Sequence, residues 1–206
     1  MTTKTPRVDL YVRLRDALIA ATGFDREIGT EPNKKDRGSY YSGTGNIGIA
    51  EDMLFNPRGL CHTVTHEFGH SLAYKIFPLL RRKQSDLEII STQARRRILT
   101  KLWPELAHNE ARLKYFQRVR GGTRGAEFAA EVICAYLMDR VIPDLAAECG
   151  HPLPDMTMWS QLPGLVYTET YGYCPASSRR GAPLLAGMIR ELEAMVKLPA
   201  AMAVAA

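Results

Sequence analysis

The stretch from Gly59 to Phe77 constrains the fold of this chain more than any other. Val64, Phe68 and Leu72 recur every fourth residue, which places them on one face of a helix and demands a core to receive them. Overlapping that stripe is His66-Glu67-Phe68-Gly69-His70, in which two imidazoles four positions apart point the same way. The spacing predicts a helix that packs by its apolar stripe and presents both histidines together, with Pro78 preventing its continuation.

Two nitrogen donors beside a carboxylate are the ingredients of metal-assisted hydrolysis. A cation held by His66 and His70 acidifies a water and polarises a carbonyl, and Glu67 accepts the proton. A catalytic zinc takes three protein ligands, so a third has to come from elsewhere. The segment Glu127-Phe128-Ala129-Ala130-Glu131 offers two carboxylates four apart on a later predicted helix. With Glu127 as ligand, Glu131 lies one turn further on and can accept the free imidazole N–H of a ligating histidine. Small Ala129 and Ala130 allow the two helices to approach closely, and Glu169 is the reserve candidate for the third ligand.

Around these motifs the chain reads as mostly helical. Val8 to Ala21 predicts a first helix stopped by Gly23, and Glu27 to Gly38 a polar loop. Ser39 to Ala50 reads as a hairpin whose second limb, Asn46 to Ala50, has the short glycine-containing character of an edge strand. Helices are expected over Gln84 to Trp103, over Glu105 to Val119, and from a Thr123 cap to Pro143. Cys149 to Pro183 reads as irregular, Leu184 to Leu198 as a last amphipathic helix, and Pro199 to Ala206 as a frayed tail. The expected class is α+β, mostly α, with one small sheet. A single domain spans 1–206: an N-terminal helix and loop (1–38), a core (39–143), and an irregular segment with a final helix (144–206).

With 206 residues, 46% hydrophobic and 24% charged, the chain suits one globular domain and excludes a disordered or fibrous protein. No apolar run approaches the roughly 20 residues of a membrane span. Met1 to Asp16 mixes charges with its apolar residues and does not read as a secretory signal. The expected setting is the cytoplasm, or delivery as an effector without a cleavable signal. Cys61, Cys134, Cys149 and Cys174 are scattered, with no CxxC pair, so reduced thiols are expected, Cys61 and Cys134 as small buried hydrophobes. The net charge of +5 is uneven: Arg81 to Arg120 holds eleven basic and four acidic residues. Such a surface suits an acidic partner. It also raises a competing reading, a nucleic-acid-binding or regulatory protein with a structural or sensing zinc. The lack of interleaved aromatics and of a recognition motif counts against that reading.

His-Glu-Phe-Gly-His followed by a helix bearing Glu-Phe-Ala-Ala-Glu resembles the gluzincin class of metallopeptidases, in particular the lethal factor-like group. The metzincin pattern does not apply, because its further histidine would stand six residues beyond His70, at Ile76. The resemblance covers the two helices and the hairpin before them. It implies a zincin-like metallopeptidase domain, a zinc ion on His66, His70 and Glu127, Glu67 as general base, and a protein or peptide substrate. In such enzymes an edge strand above the active-site helix takes the substrate as an added strand. That role is expected of Asn46, Ile47, Gly48 and Ile49. One departure concerns the oxyanion: the group carries a tyrosine seven residues before the ligand glutamate, and Arg120 stands there in this chain. The donor is open among Arg120, Tyr115, His108, His151, Tyr171 and Tyr173.

Overall fold

A computed structural model describes residues 5–105, 124–167 and 176–198. The described residues are mostly helical with one three-stranded sheet, as the sequence patterns predict. In chain order they form α1 (Val8–Thr22), β1 (Ile28–Glu31), β2 (Gly38–Tyr41), β3 (Asn46–Ala50), α2 (Pro57–Leu79), α3 (Thr92–Leu102), α4 (Arg124–Arg140), α5 (Pro143–Glu148), α6 (Leu162–Leu165) and α7 (Ala176–Met195).

The central element is α2. Asn56 caps it by accepting a hydrogen bond from the Gly59 N–H at 3.0 Å. The expected stripe is real: Val64, Phe68 and Leu72 are completely buried, as are Leu60 and Ile76 beyond it. From α1, Leu10, Leu14 and Leu18 add three more fully buried side chains to the same core. Pro78 falls in the last turn rather than after it. The helix ends one residue later, at Leu79, with the Leu80 N–H closing the last turn on the Ile76 carbonyl.

Packing of α2 is most extensive against α4. They come close at Gly69, where a Cβ would lie 2.5 Å from the Ala130 carbonyl oxygen. The small residues expected on α4 thus meet a glycine on α2, and a Cβ there would strike the Ala130 backbone. Gly69→Ala is expected to destabilise the fold by about 1–3 kcal/mol, the usual cost of overpacking a well-filled interior. The check is the denaturant midpoint at unchanged m-value, and an unaltered midpoint would show that the two helices can separate freely.

The sheet corrects two expectations. Strand order is β1-β3-β2, with β1 parallel and β2 antiparallel to β3. Residues 28–31, expected within a polar loop, therefore form a strand, aligned Ile28 with Ile47 through Glu31 with Ala50. Asn46–Ala50 is consequently the central strand and not an edge. With backbone partners on both sides, Asn46, Ile47, Gly48 and Ile49 cannot take an added strand, and none of them lines the cleft described below.

Three helical boundaries also differ. The predicted helix over Gln84 to Trp103 divides into a tight turn at Gln84–Ile89 and α3, because Ser91 caps a new start by accepting from Ala94 N–H at 3.1 Å. The last helix begins at Ala176 and runs through Pro183, which stands exposed on its outer side. The stretch read as irregular also contains the single turn of α6. Cys61, Cys134 and Cys149 are buried thiols, the first two as expected. The helix predicted over Glu105 to Val119 lies almost entirely outside the described residues, as does Cys174. Among the described residues no helix is long and apolar enough to cross a membrane.

Candidate metal centre

The polar side of α2 forms the floor of an open cleft of about 1250 Å³. His66 and His70, one turn apart, face α4, and Glu127 meets both. His66 Nε2 lies 3.2 Å from Glu127 Oε2, and His70 Nε2 lies 3.5 Å from Glu127 Oε1. For bonds of about 2.0–2.1 Å to nitrogen and oxygen, the edge of a tetrahedron is about 3.3–3.4 Å. Each imidazole thus stands about one such edge from an oxygen of the carboxylate, and one donor atom from each of the three groups lies within 4.8 Å of the other two. They are donors suited to a divalent cation and stand together in the folded chain.

Glu131 also takes the place expected of it. His66 Nδ1 donates to Glu131 Oε2 at 3.0 Å, which fixes the ring and leaves Nε2 directed at Glu127. Burial would push the His66 pKa down, but hydrogen bonds to Glu127 and Glu131 outweigh it and lift the ring to about 10. Burial would raise Glu127, yet hydrogen bonds from His66 and His70 bring it to about 2. Glu131 is completely buried, and the charge and hydrogen bonds of His62, together with those of His66, hold it well below the usual carboxylate range.

Glu67 lies beside these ligands under β2. A Cβ on Gly38 would lie 2.6 Å from Thr63 Cγ2 and 2.9 Å from Glu67 Oε1, so only glycine lets the strand come this close. Ala50 N–H donates to the Arg37 carbonyl at 2.8 Å. In an antiparallel pair that bond sets the alternation: Ser39 and Tyr41 turn toward β3, and the backbone groups of Gly38 and Tyr40 point to the outer edge, which has no strand partner among the described residues. The Tyr40 N–H accordingly donates to the Glu67 carboxylate. Burial raises the Glu67 pKa, against the pull of the charges on His66 and His70. Further along the cleft the Tyr40 ring packs on Tyr74, centroids 5.3 Å apart, so β2 runs in the same direction as α2.

The site includes one histidine that motif spacing alone did not single out. His62 is one turn before His66, and its Nε2 lies 3.3 Å from Glu131 Oε2. The available signal was the continuation of the four-residue spacing, since His62, His66 and His70 form one series. Of the six residues open as oxyanion donor, His151 alone belongs to the described residues. It lines the cleft, but two ring stacks, of 5.4 Å onto His62 and 5.9 Å onto His66, separate it from the ligands. Arg120, Tyr115, His108, Tyr171 and Tyr173 lie outside the described residues, as does Glu169. No family model, curated protein or solved structure matches the chain.

Proposed function

We propose that the protein is a zinc-dependent endopeptidase of the gluzincin type, with a zincin-like fold. The observation that carries this reading is the convergence of His66, His70 and Glu127 on the floor of a cleft, with Glu67 beside them beneath the outer edge of β2, unpaired among the described residues. The donor set of two imidazoles and a carboxylate suits zinc and leaves a coordination position for solvent. Zinc, when bound there, would supply Lewis-acid polarisation of the scissile carbonyl and acidify the attacking water.

The chain's own groups account for the rest. An extended peptide adds to the edge of β2, using the outward carbonyls of Gly38 and Tyr40. This assignment replaces the one expected for residues 46–49. Glu67 accepts the proton that the attacking water loses and delivers it to the amide nitrogen as the C–N bond breaks, which leaves a carboxylic acid and an amine that exchange a proton to become carboxylate and ammonium. Glu131 keeps the His66 ring in register through the Nδ1 hydrogen bond.

The cleft also supports a preference for acidic segments. Exposed Arg37 precedes Gly38 at the α2 N-terminal end, and exposed Arg82 and Lys83 follow α2 at the other, all three lining the cleft. The basic stretch thus serves the cleft at Arg82 and Lys83 and the interior at Arg95, which is only 5% exposed. The test is a broad peptide library incubated with the zinc-loaded full chain. Cleavage that stops on chelation and returns with zinc is expected. A fully zinc-loaded protein that leaves the whole library intact would overturn the reading.

A further inference from the structure

We propose that His62, Glu131 and Cys134 form a second cation site beside the first, suited to zinc or another borderline-soft divalent metal. His62 comes from α2, one turn before His66, while Glu131 and Cys134 stand three residues apart on α4 and so share a face. One donor atom from each, nitrogen, oxygen and sulfur, lies within 4.8 Å of the other two. His62 Nε2 and Glu131 Oε2 are 3.3 Å apart, again the edge of a tetrahedron around a small cation.

The surroundings aim these groups inward. The His62 ring stacks between His66 and His151 at interplanar angles of 23° and 13°, and meets Trp103 at 65°. So held, it directs Nε2 at Glu131. Glu131 and Cys134 are completely buried, while His62 keeps 19% of its side chain accessible. His62, Glu131 and His151 line the cleft, which provides an entry path for an ion. Glu131 Oε2 also receives the His66 Nδ1 hydrogen bond, and a carboxylate oxygen has two lone-pair positions, one for that N–H and one for an ion on the His62 side. Cys134 distinguishes the two sites chemically. A thiolate favours zinc and other soft-accepting metals, whereas the first site offers nitrogen and oxygen only. The plainer alternative is that His62 and Glu131 make a hydrogen bond that steadies His66; it gives Cys134 no part and requires one ion per chain.

The test does not depend on hydrolysis. The metal-free full chain is titrated with cobalt(II), read by absorption, and in parallel with zinc, read by metal analysis. Two ions per chain are expected, with a near-ultraviolet sulfur-to-cobalt charge-transfer band accompanying one of them. Cys134→Ser should abolish that band while the visible cobalt absorption of the other site persists. His62→Ala should lower the stoichiometry from two to one and remove the same band. Glu127→Ala should remove the other ion and keep the band. A single ion per chain, or two ions with no band sensitive to Cys134→Ser or His62→Ala, would overturn the proposal.

Discussion

Glu67→Gln is expected to lower kcat/KM for peptide cleavage by about 100- to 10,000-fold, the range for loss of a positioned general base. The substitution keeps the size of the side chain and an oxygen that can still accept the Tyr40 N–H, so β2 should stay seated on α2. It removes only the capacity to take up a proton. Since Glu67 is not among the three groups whose donor atoms converge, metal content should remain that of the parent protein. The measurement is therefore double, steady-state cleavage and metal per chain. Turnover near the parent value with metal retained would take the proton transfer away from Glu67.

The second large effect is expected from Glu127→Ala. Its two oxygens reach both imidazoles, at 3.2 and 3.5 Å, so deletion removes the α4 contribution to the first cation site. Affinity for zinc at that site should fall by more than the roughly 10- to 100-fold that an outer hydrogen-bonding partner contributes. Competition with a chromophoric chelator measures this directly. A second readout is thermal: an ion that binds only the folded state stabilises it by RT ln(1 + [L]/Kd), and the part of that shift due to this site should vanish. Unchanged affinity would mean that His66 and His70 hold the ion without α4, and the peptidase reading would lose its third ligand.

Much of this site was legible because helix periodicity is local. Residues four apart face the same way in any α-helix, so the pairing of His66 with His70 and of Glu127 with Glu131 required no knowledge of the fold. The apolar stripe of α2 was readable for the same reason, and each of its predicted members is buried. The sheet was less legible. β1 is only Ile-Gly-Thr-Glu, too short to show alternation, and it becomes a strand through its register with Ile47–Ala50. Once β1 occupies that side, β1 and β2 are the outer strands among the described residues, only β2 lines the cleft, and the substrate-binding assignment moves with it. Pro183 misled similarly: a proline inside a helix costs about 3 kcal/mol. Yet Ala182, Leu185, Met188 and Leu192 are all buried, and their packing carries the helix through.

The amino-acid sequence alone determined which donors exist and which of them share a helical face, since both follow from residue type and a 3.6-residue turn. Their meeting was decided by tertiary structure: His66 and Glu127 are separated by 61 positions and come together only because α2 and α4 pack closely where Gly69 meets Ala130. The same long-range packing placed the edge of β2 along the cleft, and it brought Cys134, expected as an ordinary core residue, together with His62 as well as Glu131. Contacts of this kind depend on how whole elements fill space against one another, which no local pattern encodes.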